Sequence, residues 1–399
     1  MKLSIAMVAA CPFPGNRGTP SRILQMAEGL ADLGHTVHVV TYHFGTDLAT
    51  QKIKIHRIPK LIKYRNFAPG PTPTKLLLLD PLLFMKLLAT VRREAVHLIH
   101  AHHFEGAIVA YPVRLLTRVK VIYDAHTTLE GELSSYKFWN PTRLRRVLDR
   151  VVPKLADHVI TVSEELKQFL LQLGIPDRKI SCIPTGVNPE QFEGKTPPNG
   201  LRETLRLSNR NVVIYTGTLQ EYQGIDLLLA AMKTLVPQRP DVCLLVIGDS
   251  NTEKYRQMAR TLGVEENVIF LGEKPFEEIP GLLSLAHIAT LPRVDCPGIP
   301  QKLTNYMAAG KAIVAFEGSA KLLEDQVTGL VVPNRDVEGM ADAILQLACD
   351  ADLRERLGRN ARERILGNFD WRTLSTKVEG IYASVVGSIP MGTTGHIHS

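Results

Sequence analysis

The chain has 399 residues, a length that at about 100–200 residues per domain suits two domains or at most three. Hydrophobic residues at 45% and charged residues at 22% are ordinary for a globular protein and argue against a long disordered tract. The formal charge of +7 is unevenly placed, with 25 basic and 15 acidic residues through Glu190 against 22 and 25 beyond it, so attraction to an anionic partner belongs to the first half.

Five cysteines, Cys11, Cys182, Cys243, Cys296 and Cys349, are odd in number, widely spaced and lack a C-x-x-C pair. They argue against a disulfide framework and a zinc site, and fit a reducing, cytoplasmic setting. Leu3 to Ala10 is apolar behind Lys2, but it is short and runs into Pro12-Phe13-Pro14-Gly15, so it is not read as a secretory signal. The longest apolar run, Leu76 to Val91, is interrupted by Asp80, Pro81 and Lys86 and falls short of the ~20 residues of a membrane span.

Short β-rich apolar runs alternate with helical patterns, the signature of parallel βαβ units with buried strands. In chain order the first half predicts strands at Leu3–Ala10, Thr36–Tyr42, Ile53–Ile58, His97–His100, Val119–Tyr123, His158–Val162 and Ile180–Ile183. A helix is expected over Pro20–Leu33, with Thr19 as N-cap, Pro20 at the first helical position and Gly34 ending it. The second half predicts Val212–Tyr215, Cys243–Ile247, Val268–Leu271, Ile288–Leu291, Ala312–Phe316 and Leu330–Val332. Three helices close the chain, about Val337–Cys349, Leu353–Ile365 and Trp371–Val385, before a polar tail from Gly387 that is expected to fray. The segment Pro184 to Gly200, rich in Pro, Gly and Asn, reads as the interdomain connection. The expectation is two tandem doubly wound α/β domains whose ligands bind beyond the carboxyl ends of the strands, in an interdomain cleft.

No G-x-x-x-x-G-K-[ST] loop and no G-x-G-x-x-G after the first strand is present, which removes support for a P-loop NTPase or a nicotinamide dehydrogenase. Pro14-Gly15-Asn16-Arg17-Gly18-Thr19-Pro20-Ser21-Arg22 follows the first strand instead. Gly15 and Gly18 allow close backbone approach, and the N–H groups of Ser21 and Arg22 at a helix start suit an anion; a capped loop without a ligand fits equally well. Val121-Ile122-Tyr123-Asp124-Ala125-His126 runs from a strand into a loop, so His126 is expected at a carboxyl strand end, either as a functional group or as a structural loop histidine. His100, His102 and His103 end the preceding strand; their spacing invites a metal reading, disfavoured because no carboxylate or cysteine is spaced to complete a site.

Taken together, Pro14–Arg22, Leu33-Gly34-His35-Thr36-Val37, Ala156-Asp157-His158-Val159-Ile160-Thr161-Val162-Ser163-Glu164, Ile183-Pro184-Thr185-Gly186-Val187-Asn188, Tyr215-Thr216-Gly217-Thr218-Leu219 and Met307-Ala308-Ala309-Gly310-Lys311 resemble the group 1, or family four, retaining glycosyltransferases of the GT-B fold. The resemblance runs from Met1 to about Val386. It implies an acceptor domain over 1–188, a nucleotide-sugar donor domain over 189–370 and a helix, 371–386, crossing back to the first domain, with 387–399 as a disordered tail. It implies a hydroxyl acceptor, lipid-linked or part of a surface polysaccharide, and no metal or other cofactor. A protein of this fold that binds sugar nucleotides without catalysis is the alternative.

By the same resemblance His126 matches the histidine that contacts the donor sugar, and His102 and His103 line the acceptor side. Gly18 and Thr19 join the donor loop. The family's usual Arg and Lys after the first strand of the donor domain are replaced by Thr218 and Gln223, next to Gly217. Arg293 and Lys302 are expected to supply the missing charge. The family's two glutamates align with Pro297 and Asn305. Asp295 is expected to take the catalytic role of the first, and Gly298, Ile299 and Leu303 to line the donor beside Asn305.

Lys52, Lys54, Arg57, Lys60, Lys63 and Arg65 form a basic segment without acidic residues, followed by Phe67 and the apolar run. It reads either as a surface for an anionic membrane, giving peripheral attachment at the inner face, or as a solvated strand edge. It lacks the interleaved aromatics of nucleic-acid sites.

Overall fold

The computed structural model describes residues 1–15, 18–45, 52–61, 72, 74–128, 142–248, 251–296 and 298–387. The chain divides into two compact units, one made of Met1–Pro184 together with the last helix, Trp371–Val386, and the other of Thr185–Asp370.

The first unit is built on a seven-stranded parallel sheet of β1 (Ser4–Ala9), β2 (Thr36–Thr41), β3 (Lys54–Arg57), β4 (Leu98–His102), β5 (Lys120–Ala125), β6 (His158–Thr161) and β7 (Ile180–Cys182), in the order β3-β2-β1-β4-β5-β6-β7. Val, Ile and Ala recur on both faces of these strands, because helices cover the sheet on each side and the inner strands are buried beyond their first residues. Strand order reverses between β1 and β4, which opens a crevice beyond their carboxyl ends. Helix α1 (Gly18–Asp32) follows β1, α2 (Asp80–Arg93) precedes β4, and α3 (His103–Thr117) follows it.

Helix α1 starts at Gly18, ahead of the expected N-cap Thr19, so Thr19 lies inside the first turn and Arg22 beyond it. Arg22 therefore acts through its side chain and not through a free N–H group.

The second unit carries a six-stranded parallel sheet of β8 (Asn211–Thr216), β9 (Val242–Ile247), β10 (Val268–Gly272), β11 (Ile288–Leu291), β12 (Ala312–Phe316) and β13 (Leu330–Val332), in the order β10-β9-β8-β11-β12-β13. Its reversal lies between β8 and β11. Both units thus have the doubly wound α/β architecture that the alternating pattern predicts. No described helix is long and apolar enough to cross a membrane.

The last helix completes the first unit's core. Trp371, Leu374, Val378 and Tyr382 recur at helical spacing, are buried and pack with Ile23, Met26 and Leu30 of α1. Leu374→Ala should cost ~2–5 kcal/mol of stability, read as a lower urea midpoint, because the side chain is completely enclosed. An unchanged midpoint would contradict this packing role.

Candidate active site

Beside the reversal point of the first sheet, the carboxyl end of β5 carries a fully buried carboxylate, Asp124. Arg22 of α1 grips it with two bonds, Nε to Oδ2 at 3.0 Å and Nη2 to Oδ1 at 3.2 Å. The same guanidinium donates to the carbonyls of Ile183 (3.0 Å) and Pro184 (2.9 Å) and lies 5.6 Å from the Trp371 ring centroid. Burial opposes the Asp124 charge, but Arg22 and the neighbouring imidazoles overcome it and hold the carboxyl well below its usual range.

Three histidines surround this carboxylate. His102 Nδ1 is 3.1 Å, His126 Nε2 3.4 Å and His100 Nε2 3.5 Å from Oδ2. Nδ1 of His100 pairs with the Tyr382 hydroxyl at 2.5 Å, and Nδ1 of His126 with the Thr19 hydroxyl at 3.3 Å. Burial lowers His102 to about 3 and also lowers His126, so both imidazoles are neutral at ordinary pH despite the anion beside them. His103 opens α3 with φ +65, an uncommon backbone state outside glycine, and its ring meets the His126 ring edge at 5.7 Å. His126 is thus held from two sides at a carboxyl strand end, with Thr19, His102 and His103 around it.

The carboxylate that the sequence does not pair with the histidines is Asp124, brought in from the neighbouring strand. One ligand atom from each of His100, His102 and Asp124 falls within 4.8 Å of the others. Both oxygens of Asp124 are already engaged by Arg22, which supplies the positive charge a metal would bring.

At the reversal point of the second sheet the chain leaves β8 at Gly217, φ +133, where an added Cβ would lie 2.7 Å from Lys302 Nζ. That ammonium comes from the helix Gln301–Ala308 and donates to the Tyr215 hydroxyl at 2.8 Å and to Gln223 Oε1 at 2.9 Å. Burial, reinforced by the like charge of Arg293, lowers Lys302 to about 7. Arg293 follows β11, lies 4.8 Å from the Tyr222 ring centroid, and donates through Nε to the Asp295 carbonyl. Gly224, φ +75, lets this loop approach, since a Cβ there would meet the Pro292 carbonyl at 2.0 Å. Tyr306, one turn after Lys302, fixes the end of β8, accepting from the Thr216 amide at 2.8 Å and pairing with the Thr216 hydroxyl at 3.1 Å. The result is a cluster of two cations, two tyrosines and an amide at the carboxyl ends of β8 and β11, able to hold a polyanion.

Two family descriptions match the chain in tandem, "Glycosyltransferase Family 4" over residues 17–191 and "Glycosyl transferases group 1" over residues 201–364. The chain is a glycosyltransferase. It is 26% identical over 390 residues to a D-inositol 3-phosphate glycosyltransferase of Corynebacterium glutamicum, covering 91% of each chain. It is 27% identical over 283 residues to a GDP-mannose-dependent alpha-(1-6)-phosphatidylinositol monomannoside mannosyltransferase of Mycobacterium tuberculosis, covering 68% of this chain and 71% of that one. Among solved structures, sucrose-phosphate synthase from Thermosynechococcus elongatus superimposes with a TM-score of 0.81 at 21% identity, over 97% of this chain and 100% of that one. HepE of Anabaena in complex with UDP gives 0.76 at 20%, over 96% and 100%. These likenesses establish the GT-B fold of the glycosyltransferase.

The residues expected on the donor side separate. Gly217, Thr218, Gln223, Lys302 and Arg293 converge, with the Thr218 carbonyl accepting from Tyr215 at 2.9 Å. Leu303 does not join them: its side chain is fully enclosed in the core, since it lies on the sheet-facing side of its helix. Asn305 is buried and receives the Gln301 amide at 3.4 Å, while Gly298 and Ile299 lead into that helix. Asp295 is exposed and contributes its carbonyl to Arg293, and Pro297 lies outside the described residues. Gly18 starts α1, beside the Thr19 that meets His126.

The basic segment is not one surface. Arg57 turns inward and donates to the carbonyls of Phe13, Phe44 and Tyr42 at 2.9, 3.2 and 3.4 Å. Lys52 and Lys54 pair with Asp32 and Glu94, Lys60 is exposed, and Lys63, Arg65 and Phe67 lie outside the described residues.

Sequence reasoning missed Asp124, Tyr215 and Tyr306 as site residues and gave Arg22 a backbone role in place of its side-chain one. The available signal was a charged residue inside an apolar strand run, Val121-Ile122-Tyr123-Asp124-Ala125, which requires a buried partner. Arg22→Met should cost about 3–5 kcal/mol of stability, because it leaves the Asp124 charge buried and unpaired. The loss should shrink as pH falls from 7 towards 4, because without Arg22 burial raises that carboxyl and lets it protonate in the folded variant. Urea unfolding of the two proteins at pH 7 and pH 4 reads both effects; equal stability at pH 7 would refute the pairing.

Proposed function

We propose that the protein is a retaining glycosyltransferase that moves a sugar from a nucleotide-diphosphate sugar to a hydroxyl of a lipid-linked or surface-polysaccharide acceptor. The observation that carries this reading is the delivery of Lys302 Nζ to Gln223 and Tyr215. In the resemblance drawn from the sequence, position 223 is where a lysine is usual. A cation supplied from the helix Gln301–Ala308 reaches the same spot by a different route. Lys302 and Arg293 then offset the charge of the departing diphosphate, so the chain belongs to a subset that has moved its donor cations rather than lost them.

In this reading the second unit holds the nucleotide, with Asn305 offering its amide to a ribose hydroxyl and the backbone at Gly298 and Ile299 facing the phosphates or sugar. The first unit holds the acceptor, beside His102 and His103. His126, kept neutral, presents a hydrogen-bonding ring to the sugar as positive charge develops at the anomeric carbon. Asp295 is the exposed carboxylate available on the donor side. The relative named for GDP-mannose and phosphatidylinositol monomannoside supports a nucleotide-sugar donor and a lipid-linked acceptor, and the one named for D-inositol 3-phosphate supports a hydroxyl acceptor. The solved relative with UDP supports a nucleotide diphosphate.

A panel of nucleotide sugars, followed for hydrolysis and transfer, tests the reading. Lys302→Ala should weaken nucleotide-diphosphate binding by ~1.5–3 kcal/mol, measured by calorimetry; an unchanged dissociation constant removes Lys302 from the donor site. His126→Ala should keep donor binding and lower turnover by about 10²-fold, and equal turnover would remove that histidine from the reaction.

The pH dependence follows from Lys302. With its free-state value lowered to about 7 and a bound diphosphate favouring the charged form, donor binding takes up a proton above pH 7. Donor affinity should therefore fall as pH rises above about 7, by up to tenfold per unit, and Lys302→Met should abolish that slope. A slope that survives in Lys302→Met would assign it to another group.

A further inference from the structure

β3 is the edge strand of the first sheet and pairs with β2 so that His38 lies opposite Lys54 and Val40 opposite His56. His38 and His56 are therefore diagonal neighbours on one face, with ring centroids 5.2 Å apart and His38 Nδ1 3.0 Å from His56 Nε2. On the other side of His38, Glu94 Oε2 is 3.8 Å from Nε2. Glu94 caps α2, and its carbonyl accepts from the Ser4 hydroxyl at 3.0 Å, so the end of the helix is tied to β1. His38 is 1% exposed, and its Nε2 has no hydrogen-bond partner. A buried imidazole nitrogen without a partner is costly unless something completes it.

One atom from each of the three residues lies within 4.8 Å of the other two. We propose that His38, His56 and Glu94 form a binding site for a divalent transition metal of the zinc type, with water completing the coordination. Two imidazoles and a carboxylate are the donor set of open zinc sites, with bonds of about 2.0–2.2 Å that put neighbouring tetrahedral ligands about 3.3 Å apart. With His38 Nε2 as the ligand atom, Glu94 Oε2 is already 3.8 Å away, and His56, which now faces Nδ1 of the same ring, closes the remainder by rotation of its partly exposed side chain. Burial lowers both histidines, which leaves them as the neutral imidazoles that ligate metals.

Lys54 is the competitor. Its ammonium lies 3.5 Å from the same Glu94 oxygen and is largely exposed, so the pair is weakly held in water and yields to a divalent ion. The site is distinct from the His100, His102 and Asp124 group, where Arg22 takes both carboxylate oxygens. His38 lies in the amino-terminal half of β2 and Glu94 at the end of α2, away from the carboxyl strand ends that carry His126. A metal here fastens the edge strand to α2, and the inference is independent of the proposed glycosyl transfer.

Zinc titration of the untagged full chain by calorimetry, with thermal unfolding alongside, tests it. One zinc per chain and a zinc-dependent rise in unfolding temperature are expected. His56→Gln and Glu94→Gln, both at partly exposed positions, should fold as the parent does by circular dichroism, bind zinc about tenfold or more weakly, and lose the thermal shift. Lys54→Gln should bind zinc more tightly, since it removes the competing cation. The proposal is overturned by absence of zinc uptake, by undiminished affinity in His56→Gln, or by weaker binding in Lys54→Gln.

Discussion

The buried Arg22–Asp124 pair is the constraint on which the first unit's site depends. A carboxylate at the end of an inner strand is tolerable only because a guanidinium meets both of its oxygens, and that guanidinium has two donors left for the carbonyls of Ile183 and Pro184. One side chain thus joins α1, β5 and the exit from β7, and it lies against Trp371 of the last helix. The histidines inherit their arrangement from this pair. His102, His126 and His100 all face Oδ2, and two of them are anchored elsewhere by sequence-distant partners, His126 by Thr19 and His100 by Tyr382. The charge at the centre is fixed, and burial keeps His102 and His126 neutral around it, so the array offers hydrogen-bonding rings rather than cations.

The second unit solves the opposite electrostatic problem. Its half of the sequence is net negative, yet its reversal point carries Lys302 and Arg293, close enough that Arg293 adds to burial in disfavouring the charge of Lys302. Such an arrangement is costly without an anion and favourable with one. Glycine at 217 and 224 is what permits it. At the first position the backbone makes room for an ammonium, and at the second it lets the loops after β8 and β11 touch backbone to backbone. Tyr215 accepts from the ammonium at its hydroxyl and hands its own proton to the Thr218 carbonyl, so the cation is oriented by groups that carry no charge.

Strand positions were legible because parallel strands buried on both faces leave runs of Val, Ile and Leu that few other structures tolerate. His126 at a carboxyl strand end was legible for the same reason. The start of α1 was not, because Thr19 has the chemistry of a cap but is drawn into the helix, where its hydroxyl meets His126. The sides taken by Lys302 and Leu303 were not legible, because a motif aligns neighbours in sequence whereas a helix sends adjacent side chains to different sides; the Lys302 side chain reaches the site and the Leu303 side chain the core. The basic run over residues 52–65 was read by count, but Arg57 satisfies three carbonyls and Lys52 and Lys54 are paired.

By itself the sequence determined the two parallel α/β halves, their order, the uneven charge and the short segments that carry the family resemblance. All of these are local properties of composition and periodicity. Only the tertiary structure decided which side chains meet. Arg22 finds Asp124 across 102 positions, His100 finds Tyr382 across 282, and Lys302 finds Gln223 across 79. Such pairings depend on strand register and helix phase, which bring distant residues within a hydrogen bond and which no linear pattern encodes.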